Sequence, residues 1–144
     1  RGIIGAESGP YFIDETGELR SKVAAFVRKS PSVSFEAVYE RFFADKSSPV
    51  SGKTISSRHF EALGTKTCQV MIEGNFNGIL EPNTHYISVK KDLSNISDAV
   101  LKFKDAKFRE QIAECGYELA MNHHTYPHRV RSLINATSAI KQPH

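Results

Sequence analysis

Ser56-Ser57-Arg58-His59-Phe60-Glu61-Ala62-Leu63-Gly64, followed by the apolar run at residues 67–72, is the stretch that decides the fold of this chain. Its pattern predicts a loop, then a short helix, then a buried strand. A guanidinium and a carboxylate lie three residues apart at the start of that helix. The stretch therefore predicts both a local fold and a pair of charged side chains beside a helix N-terminus.

The start of this helix suits an anion such as a phosphate. Its first backbone N–H groups have no intrahelical acceptor, and the helix dipole is positive at this end. Arg58 can add a bidentate phosphate contact. Glu61 lies one turn further along the same face and can accept hydrogen bonds from sugar hydroxyls. Together these groups predict a nucleotide-sugar site.

Each of these residues also has a purely structural interpretation. Glu61 can be a surface carboxylate in an ordinary salt bridge, and Ser56 and Ser57 can be simple helix caps. Arg58 can be a solvent-exposed residue of the first turn, a position that the helix dipole mildly disfavours for a cation. That last conflict favours a bound anion.

The composition of the chain is that of a globular domain. With 144 residues, 40% of them apolar, it is long enough for one domain with a real core. The net charge of +3, without any Lys/Arg block, disfavours nucleic acid. No apolar run approaches the ~18 residues of a membrane span. Because the chain starts at Arg1 and not at Met, we expect a fragment of a longer protein.

The two cysteines indicate the compartment. Cys68 and Cys115 lie far apart and match no CxxC pattern. We interpret them as buried thiols in a reducing compartment, which predicts a cytoplasmic protein.

Short apolar runs alternate with helical stripes along the chain. Strands are predicted at residues 2–5, 68–72 and 85–89, and a polar loop at residues 45–53. Helical stripes are predicted at residues 19–27, 35–42 after a Ser34 cap, 96–103, 108–119, and 130–137 after a Thr125 cap. This order predicts an α/β fold with a small parallel sheet flanked by helices.

Ligands of such sheets bind at the carboxyl ends of the strands, where the loops after Ile4, before Ser56 and after Ile72 should meet. Glu7 follows the first strand and is a candidate substrate contact. Glu73 and Asn75 follow the central strand, where a plain strand-exit turn is the alternative. His123, His124 and His128 offer no fourth ligand and an interrupted helix, so we predict no metal.

Residues 52–67 resemble the donor-site region of GT-B glycosyltransferases. The shared pattern is R-x-F-E-A at Arg58 to Ala62, followed near the C-terminus by His85-Tyr86-Ile87, Asp92-Leu93 and His124-Thr125-Tyr126 with Arg129. The resemblance covers about residues 50–135. Specifically, the stretch is similar to the bacterial group related to spore-maturation-type glycosyltransferases.

The resemblance implies a partial Rossmann-like domain, the C-terminal donor-binding half of a GT-B enzyme, with residues 1–144 as a single domain. Glu61 would bind the donor ribose, while Arg58 and the amides around Ser56 and Ser57 would hold the diphosphate. The donor would also meet the loop of Glu73 and Asn75. Neither a metal nor a cofactor is implied. An N-terminal acceptor domain would complete the enzyme, so the isolated chain should be inactive.

One departure from the family concerns catalysis. Many retaining members carry an E-x7-E pair, and the position that corresponds to its first glutamate is Lys53. Glu7 can fill an analogous role from another loop, so Glu7 and Arg58 are the catalytic candidates.

Two functions of other classes remain open from the residues. One is a non-catalytic α/β interaction or regulatory domain, such as a receiver-like module, although the acid cluster of a receiver is missing. The other is a nucleic-acid-binding domain, which the weak net charge disfavours.

Overall fold

The structure is a computed structural model that describes residues 2–10, 12–45 and 51–140. Within these ranges it contains three strands, six α-helices and one short 3-10 helix at Phe76–Gly78. The strands are β1 (Gly2–Gly5), β2 (Cys68–Ile72) and β3 (Ile87–Val89). The helices are α1 (Glu18–Lys29), α2 (Phe35–Phe42), α3 (Ser57–Gly64), α4 (Ile96–Lys104), α5 (Ala106–His123) and α6 (Tyr126–Ile140).

The contacts divide the chain into two compact units. One combines residues 1–8 with residues from 54 onward, and the other comprises residues 9–53. The first unit contains the whole sheet and helices α3 to α6, and the second contains α1 and α2. The assignment of the chain to a single functional domain stays a prediction.

The sheet is parallel, with the strand order β1-β2-β3. Ile3 pairs with Gln69 of the central strand, and Val70 pairs with Ile87 on its other side. This confirms the predicted parallel sheet. β1 is at the edge of this sheet, and its Ile4 side chain is 88% exposed.

The third strand is shorter than predicted, since it begins at Ile87 and not at His85. Of the two residues before it, His85 belongs to a turn and Tyr86 forms an isolated bridge with Pro82. Asn83 N–H donates to the Tyr86 carbonyl at 2.7 Å, and Glu81 N–H donates to His85 Nδ1 at 3.0 Å. These bonds hold His85 and Tyr86 out of the ladder.

Two apolar clusters cover the faces of the sheet. Because side chains alternate along a strand, Met71 of β2 packs with Leu63 of α3, and Cys68 packs with Ile112 of α5 on the other face. Parallel strands buried on both faces are typical of α/β folds. The first unit therefore has the partial Rossmann-like α/β fold that the sequence predicts.

A close contact between α3 and α5 brings the end of α5 beside the start of α3. Gly116 permits it, because a Cβ at this position would lie 2.5 Å from Leu63 Cδ2. Ala120, one turn further along α5, is buried in the same cluster as Leu63. The absence of a side chain at Gly116 thus positions the C-terminal turn of α5 over α3.

The helices lie close to the positions predicted from the sequence. Ser34 caps α2 by accepting a hydrogen bond from Ala37 N–H at 3.2 Å, and α6 starts directly after Thr125. The predicted apolar stripe of α6 is not buried, because Val130, Leu133 and Ile134 are each more than half exposed. Part of the predicted loop at residues 45–53, namely residues 46–50, lies outside the described residues.

The two thiols differ in environment. Cys68 is buried, whereas Cys115 is only half-buried, and both are free. The prediction of two buried thiols is therefore wrong for Cys115. No helix in the described ranges is long and apolar enough to span a membrane.

Candidate functional site

Three loops meet at the carboxyl end of the sheet, as the sequence predicts. Ser8, after β1, forms a backbone bridge with Thr54, just before α3, with N–H to oxygen distances of 2.9 and 3.0 Å. Glu7 Oε1 accepts from Phe76 N–H at 2.8 Å, which joins the loop after β1 to the loop after β2. Asn77 Oδ1 accepts from the Thr54 hydroxyl at 2.7 Å, which joins the loop after β2 to the segment before α3.

His59 fixes the start of α3 to this junction. Its Nδ1 lies 3.0 Å from Ser56 N–H, which can only donate, so Nδ1 is the acceptor and Nε2 carries the proton. Nε2 is then the donor to the Ala6 carbonyl, at 3.2 Å. The ring is buried and meets the Phe76 ring edge-on at 5.4 Å. His59 is therefore a packed structural residue.

Arg58 points toward the loop after β1. Its Nη2 donates to Ser8 Oγ at 3.1 Å, and its side chain is exposed. In the described part of the chain the guanidinium has no carboxylate partner. A cation in the first turn of a helix without a salt bridge is available for an anion.

Glu61 faces a different neighbourhood from Arg58. Its exposed carboxylate has no hydrogen-bond or ion-pair partner among the residues that the structure describes. It lines a cavity of about 410 Å³ between α3, the end of α5 and the start of α6, which we call the apolar cavity. Other side chains that line it are Ser57, Phe60, Met121, His124, Tyr126 and Arg129.

A second cavity, of about 360 Å³, adjoins the first and is here called the polar cavity. Ser57, Phe60 and Arg129 line both cavities. The polar groups that the second cavity adds come from Thr54, Ser56 and Asn77. The start of α3 is thus bordered by a polar compartment and an apolar one.

Arg129 lies between the two cavities. Its guanidinium is 5.1 Å from the centroid of the Phe60 ring, and the His124 ring is 5.6 Å from the same centroid. Arg129 N–H donates to the Thr125 carbonyl, so the first turn of α6 sets its position. The sequence analysis assigned no role to Arg129. The H-T-Y pattern at residues 124–126, which precedes it, was the feature that could have drawn attention to it.

The three loop residues occupy different places. Glu7 is half-buried, and a Cβ on Gly74 would lie 2.6 Å from Glu7 Oε2, so its carboxylate rests directly on that glycine. Glu73 is exposed and accepts from Lys91 N–H at 3.4 Å. The Asn75 carbonyl accepts from Gly78 N–H at 2.7 Å. None of the three lines either cavity, and only Glu7 holds two site loops together.

Burial lowers the pKa of His124 below its ordinary value of 6.5, and the positive charge of Arg129 lowers it further. The unfolded chain therefore binds a proton at this residue more readily than the folded chain. Stability falls as pH drops through the ordinary pKa and below it.

We accordingly expect the free energy of unfolding to be lower at roughly pH 5.5 than at pH 7.5, with a smaller difference in His124→Gln. Urea unfolding at both pH values measures this. His85, whose pKa burial also lowers, retains its share of the difference in the variant. An unchanged pH difference in His124→Gln would contradict the assigned environment of His124.

No group of three or more His, Cys, Asp or Glu side chains in the described ranges is placed to hold a metal ion.

Among curated proteins, none matches the sequence. The family model for glycosyl transferase-like domains matches residues 19–135, which is most of the chain and includes both the α1–α2 region and the candidate site. The chain belongs to the glycosyl transferase-like family.

Proposed function

We propose that this chain binds a nucleoside-diphosphate sugar at the start of α3 and serves as the donor half of a GT-B glycosyltransferase. The observation that carries the proposal is the pair of adjoining cavities at the start of α3. Glu61 lines one of them, Arg58 lies in the first turn of the same helix, and neither side chain has a charged partner within the described residues. Membership of the family implies glycosyl transfer from a nucleotide-sugar donor.

The diphosphate would lie at the polar cavity. Ser56, which is the N-cap residue of α3, and Ser57 both line this cavity, and the N–H groups of the first two helical residues lack acceptors within the helix. Arg58 lines neither cavity, but its hydrogen-bond partner among the described residues is neutral, Ser8 Oγ in the loop after β1. Its guanidinium can therefore exchange that bond for a stronger one to a phosphate oxygen.

The ribose would lie at Glu61. A carboxylate accepts hydrogen bonds only, and the two ribose hydroxyls are donors of suitable spacing. Because Glu61 has no partner among the described residues and lines a cavity, it is free to accept them.

Catalysis would consist mainly of stabilising the leaving diphosphate, by Arg58 and by the start of α3. Glu7 would hold the loop after β2 in place and approach the sugar from that side. Glu73 and Asn75 would contact the donor from the same loop. No covalent protein nucleophile is involved in this proposal.

The acceptor would be bound by a second, N-terminal domain of the full-length protein. The whole enzyme would transfer the sugar to a glycan, lipid or protein acceptor in bacterial polysaccharide biosynthesis or a related cytoplasmic pathway. The resemblance to the spore-maturation-type group supports this assignment. The isolated chain should then show no steady sugar transfer above that of a Glu61→Ala variant.

Thermal stability measured with UDP, GDP, ADP, inorganic pyrophosphate and a short oligonucleotide tests the proposal. Ligands that bind the native state alone raise the melting temperature, and at equal concentration the tighter ligand raises it more. We expect at least one nucleoside diphosphate to raise it more than pyrophosphate does. Stabilisation by the oligonucleotide alone, or by none of the ligands, would overturn donor binding and favour the nucleic-acid or the interaction-domain alternative.

A further inference from the structure

A row of aromatic rings runs along one side of α2. Phe35, Tyr39 and Phe43 follow one another at four-residue spacing, so their side chains lie on neighbouring turns. Successive ring centroids are 6.2 Å apart, and the ring planes are nearly parallel, at 29° and 19°. Phe35 is 75% exposed and Tyr39 is 51% exposed. We call these three residues the aromatic ladder.

The helical hairpin of α1 and α2 leaves this ladder uncovered. The two helices meet through Phe42 and Phe26, whose rings are 5.4 Å apart. Neither helix contains a fully buried residue. A continuous patch of exposed aromatic rings is typical of a protein contact, because Tyr and Phe are enriched at the centre of interfaces. The ladder is therefore a candidate docking surface of the α1–α2 unit.

Two carboxylates accompany the ladder. Glu36 and Glu40 each directly follow one of its rings, so they lie one turn apart on the adjoining side of α2. Both are exposed, and neither has an ion-pair partner among the residues that the structure describes. In α1, by contrast, Glu18 pairs with Lys22 four residues further on, at 3.1 Å. In α2 the corresponding position after Glu36 is a second carboxylate.

Aromatic rings beside carboxylates suit a basic partner. Lysine and arginine side chains can lie over Phe and Tyr rings while their charged ends reach a carboxylate. The hairpin itself contains such a contact, since the Arg41 guanidinium is 4.7 Å from the centroid of the Phe26 ring. Arg41 is the only basic residue in the sequence of α2, so a cation for the ladder has to come from elsewhere.

Charge disfavours two other occupants of this surface. A second copy of the chain would bring its own Glu36 and Glu40 to the contact, so four carboxylates would meet there. An anionic membrane repels the same carboxylates, and helices that lie on membranes carry Lys and Arg beside their apolar side. Charge complementarity therefore favours a basic segment of another protein.

We propose that the aromatic ladder docks a basic amphipathic segment of another protein, whose apolar side chains pack on the rings and whose lysines or arginines pair with Glu36 and Glu40. Apolar anchors at helical spacing in the partner match the four-residue spacing of the rings. The rings already hold one another in place, so docking orders few side chains. Donor binding plays no part in this contact.

Fluorescence anisotropy of two labelled model peptides, titrated with the full chain, tests this. Both peptides carry leucine at the i, i+3, i+4 and i+7 positions of a helix. Their remaining positions are lysine in one peptide and glutamate in the other. The chain should bind the leucine–lysine peptide, bind it more weakly as salt is added, and leave the leucine–glutamate peptide free.

Two variants assign the binding to the ladder. Phe35→Ala removes an exposed ring and should weaken binding of the leucine–lysine peptide about fivefold or more. The double variant Glu36→Gln, Glu40→Gln removes two exposed ion pairs with the peptide, so it should weaken binding about two- to thirtyfold and reduce the salt dependence. Because glutamine keeps the size of an exposed side chain, the double variant tests the contact even if Phe35→Ala alters the hairpin.

Each variant has a matched control in the other compact unit. Leu101→Ala shortens an apolar side chain of α4 that is 67% exposed. The double variant Glu110→Gln, Glu118→Gln removes two exposed carboxylates from α5, and therefore the same net charge. Both controls should bind the leucine–lysine peptide as the wild type does.

The docking surface would be overturned if the wild type bound neither peptide, if it bound both equally, or if the ladder variants lost no more affinity than their controls. A dimer in sedimentation of the chain alone that Phe35→Ala abolishes would assign the ladder to a second copy instead. Phe35-dependent binding of phosphatidylserine vesicles or of maltoheptaose, without peptide binding, would assign it to a membrane or a glycan. All of these results leave the proposed donor site standing, because α3 belongs to the other compact unit.

Discussion

Arg58→Ala is expected to weaken nucleoside diphosphate binding by roughly ten- to a hundredfold, because a charge-assisted hydrogen bond typically contributes about 1.5–3 kcal/mol. The side chain is exposed and its one hydrogen bond, to Ser8 Oγ, is to a neutral group. Its removal should therefore leave the fold intact. Titration calorimetry with a nucleoside diphosphate and with inorganic pyrophosphate should show the same loss for both ligands.

The matched control is Arg131→Ala. Arg131 is an exposed arginine of the same compact unit. Like Arg58 it lines neither cavity, but it lies in α6 and not at the start of α3. Arg131→Ala removes the same charge from the molecule as Arg58→Ala. A loss of affinity common to both variants would therefore reflect net charge and not a phosphate contact. Equal affinities in Arg58→Ala and Arg131→Ala would contradict the role given to Arg58.

Glu61→Gln should weaken nucleoside diphosphate binding and leave pyrophosphate binding nearly unchanged. Glutamine keeps the size of the side chain but loses the charge that strengthens hydrogen bonds from the ribose hydroxyls. Pyrophosphate has no ribose, so the variant should distinguish the two ligands. The expected loss is about tenfold or more, the range for a hydrogen bond to a charged group.

Glu110→Gln provides the control for this variant, since Glu110 is an exposed carboxylate at the start of α5, away from both cavities. If Glu61→Gln binds the nucleoside diphosphate as the wild type does, the ribose assignment is wrong. If it weakens pyrophosphate as well, Glu61 acts on the phosphates and not on the sugar.

Local sequence signals predicted the elements that carry the site. The serines before Arg58, the helical spacing up to Leu63 and the apolar run from Thr67 gave α3 and β2 close to their observed bounds. The parallel order followed from strands separated by helices. These features depend on neighbours in the chain, and a single sequence contains that information.

The cavities were not predictable in the same way. They exist because the end of α5 lies beside the start of α3, which depends on the contact of Gly116 with Leu63 across more than fifty residues. Arg129 lines the cavities because the start of α6 follows the end of α5 to this place. Its position after the H-T-Y pattern could not indicate this from the sequence. The separation of Arg58 and Glu61 into different surroundings likewise appears only when α6 and the loop after β1 are both in place.

Backbone conformation explains another residue that sequence reasoning missed. Asn77 has a φ of 56°, in the left-handed region that asparagine tolerates better than most residues. Asn77 lies in the loop after β2. From there its Oδ1 accepts from the Thr54 hydroxyl at 2.7 Å and from Ile55 N–H at 2.8 Å. An Asn-Gly pair after a strand indicates a turn, but not which loop the asparagine will bind.

The most direct test of the central claim is to locate nucleotide binding residue by residue. Two-dimensional amide NMR of the chain, recorded while a nucleoside diphosphate is added, measures this. We predict that the largest shifts occur at the first turn of α3, from Ser57 to Phe60, and around His124 and Arg129, while the amides of α4 stay unchanged. Saturable shifts centred on another surface, or no shifts with any nucleoside diphosphate, would contradict the donor site.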